Sequence, residues 1–199
     1  MGVNLFKTSH IIFFAAILPL GSFLLSWLLY QIFPNPPFWM ETITPLYAYI
    51  ILYGLFDRYA WSWWIFKATG ISYFPDVRGR WKGEQSSTFE ENGNKVKVQA
   101  VIEVEQTFSK VSVRAYYEKS KSESTVANFS EFNGKNYLFY TYDNDPSSLE
   151  RGTMQIHRGS TKLEYLSKEK RLMGSYFNGL GNKGDMDFQF EQKELIGRF

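Results

Sequence analysis

No cysteine occurs in the 199 residues. That excludes disulfides, thiolate metal sites and a cysteine nucleophile. Histidine is almost missing: His10 and His157 are the only two, and they fall in different regions of the chain. No Ser/His pairing and no His/Asp/Glu cluster has the spacing that hydrolytic or metal chemistry uses. The expectation is a protein with no catalytic residues and no metal. A surplus of charge is missing too. The formal net charge is +2, and from Gly79 to the end 18 Lys/Arg face 17 Asp/Glu. Binding to polymeric nucleic acid usually leaves a basic stripe, so none is expected here. Internal repeats and low-complexity tracts are also absent.

Long hydrophobic runs are present. Residues 11–33 contain no charge, and residues 44–66 are interrupted only by Asp57-Arg58. A bilayer core is crossed by about 20 apolar helical residues. Pro34-Asn35-Pro36-Pro37 separates the runs, and no helix continues through it. The pattern predicts a transmembrane hairpin over residues 1–70, with helices at about 11–33 and 44–66. A cleaved signal peptide fits less well: the first run exceeds an h-region and no small-x-small site closes it. The flanks carry Lys7, Lys67, Arg78, Arg80 and Lys82, whereas the loop between the runs carries Glu41 and no Lys or Arg. Positive flanks stay in the cytoplasm. Both termini are therefore expected on the cytoplasmic side, with the short loop outside. Trp27, Tyr30 and Trp39 would lie near the outer interface, and Trp61, Trp63 and Trp64 near the inner one.

Asp57-Arg58 admits two readings. The pair can sit near the inner interface, bonded together or reaching for water. It can also form a polar seam used in membrane assembly.

After a connector over residues 71–78, the period changes from helical to alternating. Val96, Val98, Ala100, Ile102 and Val104 share one face of a strand, and Lys95, Lys97, Gln99, Glu103 and Glu105 the other. Further strands are expected near 80–88, 111–117, 125–132, 136–142, 153–158, 162–166, 171–177 and 185–191. Residues 119–124 and 144–151 read as loops. Asn133-Gly134 suits a tight hairpin turn. Eight or nine strands in series leave two sticky edges unless the sheet closes. The expected fold of residues 79–199 is therefore an antiparallel up-and-down β-barrel of about eight strands, lipocalin-like, with a sandwich as the alternative. Gly79-Arg80-Trp81 resembles the lipocalin entry, in which the Trp plugs one end; Trp81 also fits ordinary core packing.

Tyrosines recur at 116, 117, 137, 140, 142, 165 and 176. Rings stack on bases, and arginine pairs with phosphate. Alternating the expected strands puts the ends at Thr88, Tyr117, Tyr142 and Leu166 at the membrane-distal mouth with Arg171. Arg114 and Tyr140 then lie one step deeper. The expected ligand-binding residues are Arg114, Tyr117, Tyr140, Tyr142 and Arg171. Two other patterns carry less. Gly179-Leu180-Gly181-Asn182-Lys183-Gly184 lacks the ending of a phosphate loop and reads as a turn. Asp185 and Asp187 share a strand face without a third ligand.

The order of parts carries a resemblance. Two apolar runs precede Pro75-Asp76-Val77-Arg78-Gly79-Arg80-Trp81-Lys82-Gly83, and strands then run to Gly174-Ser175-Tyr176-Phe177-Asn178-Gly179 and Gly184-Asp185-Met186-Asp187-Phe188. This resembles the two-transmembrane, β-strand-rich effectors of bacterial cyclic-oligonucleotide antiphage signalling (CBASS). The resemblance implies a barrel that receives a cyclic dinucleotide made by a cGAS/DncV-like nucleotidyltransferase. It implies ligand-driven homo-oligomerisation, contact with inner-membrane lipid, membrane disruption by the helices and abortive-infection cell death. Alternatives are a membrane-anchored lipocalin-like carrier, a partner-binding barrel of the envelope, or a membrane-bound enzyme, the last opposed by the missing catalytic cluster.

Overall fold

The uncharged N-terminal run is helical from its first described residue. Thr8–Ile12 is α-helical, Phe13–Ile17 widens into π geometry, and Leu18–Ile32 continues as α-helix. Pro19 explains the widening: it has no N–H for the preceding turn and its ring crowds that turn's carbonyls. Ser9–Ile32 is long and apolar enough to cross a membrane. The structure is a computed structural model describing residues 8–33, 45–91, 94–146 and 156–199. It forms two compact units. A helical unit runs to Tyr73 and includes Thr107–Ser109; the remainder, from Phe74, is the barrel unit.

The second apolar run differs from expectation. Its helix spans only Pro45–Arg58, 14 residues, a rise of about 21 Å against a core of about 30 Å. The chain then leaves helical geometry at Tyr59, makes a 3₁₀ turn at Ala60–Ser62, extends at Trp63 and resumes as Trp64–Ala68. The expected helix over 44–66 is thus broken at Tyr59, and among the described residues one helix has the length to span. The break leaves Trp61 0% exposed, clustered with Phe13, Phe56 and Ile71. Hiding an indole removes about 200 Å² from solvent, which outweighs the helical bonds lost. The Leu18–Ile32 and Pro45–Arg58 helices pack on each other, and their buried positions include the small Ser22, Ser26 and Ala48. Lys7, Glu41 and Trp39 lie outside the described residues.

Asp57 is engaged within this unit. Its carboxylate accepts the Ser109 N–H at 2.8 Å, and its carbonyl accepts the Phe108 N–H at 2.9 Å. The Phe108 ring lies 5.0 Å from Phe56 and 5.5 Å from Phe14. Arg58 faces the Tyr59 ring at 5.8 Å.

The barrel unit has eight antiparallel strands in sequence order, closed by β1 against β8. They are β1 (Gly79–Glu91), β2 (Asn94–Gln106), β3 (Val111–Tyr117), β4 (Ser120–Phe132), β5 (Lys135–Pro146), β6 (His157–Leu166), β7 (Arg171–Asn178) and β8 (Lys183–Gln192). Closure satisfies both edges. Alternate residues fill the interior, where Trp81, Ile102, Val104, Leu138, Leu163 and Phe188 are fully buried. Trp81 sits at the end where β1 begins. Its indole donates to the Val77 carbonyl at 3.0 Å, and its ring meets Phe190 and Tyr165 edge-on.

Two strand assignments change. Residues 119–124 were expected as a loop, yet β4 starts at Ser120. Its inward Ser122 donates to Asn144 Oδ1 at 2.9 Å, and Ser124 accepts the Val113 N–H. A strand facing a polar stretch of interior shows no alternation of hydrophobicity. Residues 153–158 and 162–166 were expected as separate strands. Residues 147–155 lie outside the described set, and from His157 a single strand runs through Gly159 to Leu166. Counting this strand twice inverts the direction of every strand after it.

Candidate functional site

Eight strands give the barrel two ends. Trp81 and its partners occupy the end where β1, β3, β5 and β7 begin. At the other end, where those strands finish, a cavity of about 540 Å³ opens. Its lining comes from alternate, inward positions: Gln85 of β1, Tyr117 of β3, Tyr142 and Asn144 of β5, Tyr176 and Asn178 of β7. His157 opens β6 at the same rim.

The walls are polar but uncharged. The Tyr117 hydroxyl donates to Gln85 Oε1 at 2.6 Å. The Tyr140 ring packs 6.1 Å from Tyr142, one step deeper. The Tyr140 hydroxyl is buried with no partner at full hydrogen-bond geometry and only the Thr161 hydroxyl of the paired strand at a looser one; Thr161 itself donates to Met186 Sδ at 3.9 Å. Burial pushes the Tyr117 phenol well above its ordinary range, with the neighbouring Tyr140, Tyr142 and Tyr176 adding to the effect. Burial also raises Tyr140, to about 12, and raises Tyr142 further. These phenols stay protonated at neutral pH and offer O–H donors and ring faces. Asn178 stitches the β7–β8 turn at this rim, accepting the Leu180 and Asn182 N–H groups at 3.1 and 3.0 Å.

Of the expected ligand-binding residues, Tyr117 and Tyr142 line the cavity and Tyr140 supports it. The arginines are elsewhere. Arg114 is on the outer face, bonded to Glu105 at 2.6 Å and Glu123 at 3.2 Å, which raise its pKa. Arg171 starts β7 at the opposite end and is held outside by Asp187. The doubled strand explains the second placement. Arg114 is out because it alternates with Val113 and Ala115, which face in. Charged groups at the mouth are Lys97, Glu118 and Lys119, with the His157 ring beside them; Lys97 has the outward parity of β2 and is bonded to Glu84 at 3.0 Å. Sequence reasoning passed over them: His157 was weighed only as a metal ligand or a catalytic partner, Lys97 was placed on the outward face of its strand, and Lys119 fell in the supposed loop. Among the described residues no group of His, Asp and Glu could hold a metal.

The arrangement suits a compact, mostly planar ligand with anionic groups. Aromatic faces and amides surround the inside, and the charged side chains, Lys97, Glu118 and Lys119, are confined to the rim. Comparison with known proteins agrees in kind. Residues 72–190 match the family model described as Cap15, cyclic dinucleotide receptor domain. That stretch contains all of β1 to β7 and most of β8. CD-NTase-associated protein 15 of Staphylococcus schleiferi is 29% identical over 131 residues, 66% of this chain and 68% of that protein.

Proposed function

The chain belongs to the Cap15 cyclic dinucleotide receptor family, and from that premise we propose that its barrel takes a cyclic dinucleotide in the tyrosine-lined cavity. The observation that carries the reading is the coincidence of the family match with a cavity of about 540 Å³ at one barrel mouth. Tyr117, Tyr142 and Tyr176 would stack on bases or donate to them. The amides of Gln85, Asn144 and Asn178 would read base edges. Lys119, and Lys97 once released from Glu84, would meet the two phosphates from the rim.

The protein then acts as an antiphage effector. Ligand favours contact between barrels, and the connector, only residues 71–78, gathers the attached helices. Raised local concentration makes weak helix association effective, and the assembled helices disrupt the inner membrane, causing abortive-infection cell death. Asp57 and Arg58 are polar groups through which helices of different copies would meet. The positive flanks support a multi-pass topology with both termini and the barrel in the cytoplasm, where the messenger is made. The break at Tyr59 supports crossing by the second run only within an assembly that satisfies its freed backbone groups.

The test is calorimetry on the full chain in detergent against cyclic di-AMP, cyclic di-GMP, cyclic GMP–AMP and their pyrimidine-containing counterparts. Saturable binding of at least one is expected. Binding of none, by protein with a cooperative melt, overturns the receptor reading. Liposomes carrying the full chain should leak dye only with the bound ligand. Leakage by a form held monomeric would remove assembly from the mechanism.

A further inference from the structure

One charged group is buried on the outside of the barrel rather than within it. Glu103 faces outward from β2, yet it is 1% exposed. Its cover is the end of the sequence, residues 194–199. Glu103 Oε1 accepts the Ile196 N–H at 2.7 Å, the Gly197 N–H at 3.1 Å and an Arg80 N–H at 3.0 Å. The same Arg80 nitrogen donates to the Arg198 carbonyl at 2.7 Å, and Arg80 Nε is bonded to Glu191 at 2.7 Å. Gly197 takes a φ of 75°, the left-handed turn that lets successive N–H groups converge on one carboxylate.

Burying an ion pair costs several kcal/mol per ion unless every remaining bonding position is filled. Here the positions are filled by the main chain of residues 196–198. The side chains of the segment are only partly covered: Leu195, Ile196 and Phe199 keep 39%, 48% and 50% of their surface exposed. A segment gripped by its backbone, with much of each apolar side chain still in solvent, is held for position. Its last ring is 50% exposed and lines the mouth of the tyrosine cavity, alongside Lys97 and Lys119.

We infer that Phe199 is a ligand-contacting residue of this cavity, positioned there by the Arg80–Glu103 clamp. The inference rests on the receptor reading above. A half-exposed ring at the rim adds a stacking face to the tyrosines inside and can cover a base that the barrel walls do not enclose. Glu103 and Arg80 are positioning residues that act through the backbone of residues 196–198.

The experiment compares the full chain with Phe199→Ala, Phe199→Trp and Glu103→Gln by calorimetry against the same cyclic dinucleotides. Phe199→Ala should bind roughly 5- to 100-fold more weakly, with the melting temperature of ligand-free protein unchanged. Phe199→Trp should bind as tightly as the parent or more tightly, a rescue that a merely structural role would not show. Glu103→Gln should release the segment, seen as faster hydrogen exchange at Ile196 and Gly197, and should weaken binding as much as Phe199→Ala. If Glu103→Gln does not fold, the Phe199 pair decides alone. Parent binding with an unchanged constant in Phe199→Ala overturns this inference and leaves the receptor reading intact. If the parent binds none of the panel, the receptor reading fails and the inference falls with it.

Discussion

The ring of Tyr142 lies across the backbone of Gly159 on the neighbouring strand. A methyl group built on Gly159 would collide with the Tyr142 Cζ and hydroxyl. The residues are cross-strand partners of β5 and β6. The missing side chain therefore makes the recess that holds the ring against the cavity wall. Gly159→Ala should push Tyr142 into the cavity, destabilise by about 1–3 kcal/mol and weaken ligand binding. Removing the ring as well should recover stability. In a double-mutant cycle by urea denaturation, Gly159→Ala should cost clearly less in a Tyr142→Ala background. Simple additivity would show that the two do not meet.

Tyr140→Phe should not destabilise the protein. Its buried hydroxyl has no partner at full hydrogen-bond geometry and only Thr161 at a looser one, and an unmade bond carries a desolvation cost of about 1–3 kcal/mol. A thermal melt equal to or above the parent's is expected. A loss of more than about 1 kcal/mol would mean that the hydroxyl is satisfied in solution.

Alkaline pH should unfold the barrel. Burial raises the phenols of Tyr117, Tyr140 and Tyr142 above the ordinary value of 10.0. The folded state then holds protons that the unfolded state gives up. This contribution is complete below pH 10 and is lost as pH rises above it. Absorbance at 295 nm should show these rings silent at pH 10.5 in folded protein and titrating once urea unfolds it.

At the acid end the responsive group is Asp76. Burial alone would raise it, but the Arg78 hydrogen bonds and charge, with Lys193, bring it down to about 2 from 3.8. Its contribution is present above pH 4 and is lost as pH falls through 2, amounting to about 2 kcal/mol. Asp76→Asn should flatten that part of the urea-midpoint profile between pH 5 and pH 2.

Arg114→Ala and Arg171→Ala should leave ligand affinity within about twofold, because each removes an exposed outer ion pair. Lys97→Gln with Lys119→Gln should weaken binding roughly tenfold and reduce its salt dependence. The opposite ranking in calorimetry would move the phosphates away from this mouth.

A reporter fused after Gly70 should be active only in the cytoplasm, following the positive flanks. Periplasmic activity would remove the barrel from the compartment of a cytoplasmic messenger.

Local pattern determined much of this protein. Charge-free runs specify helices, strict alternation in β2 specifies a half-buried strand, and Asn133-Gly134 specifies the tight β4–β5 turn, where both residues take positive φ. Serial short strands with no other cover specify closure, because unpaired edges are costly. The tyrosines at 117 and 142 were legible at the mouth because they end strands of the same direction, whereas the parity of β3, which turns Arg114 outward, was not applied to that residue. What tertiary structure decided is what depends on counting and on distant partners. Gly159 reads locally as a turn and becomes the middle of a strand only because the Tyr142 ring needs its missing side chain. One strand fewer then carries Arg171 to the opposite end. Ser122 and Ser124 look like loop residues until a polar interior is there to bond them. Trp61 breaks a helix that its own segment would continue, because Phe13 and Ile71 from outside that run offer it burial. Glu103 alternates as an exposed residue, and only a segment more than ninety positions later in the chain buries it. Periodicity reports which face a residue takes on its own strand; which residues meet on that face is set by closure.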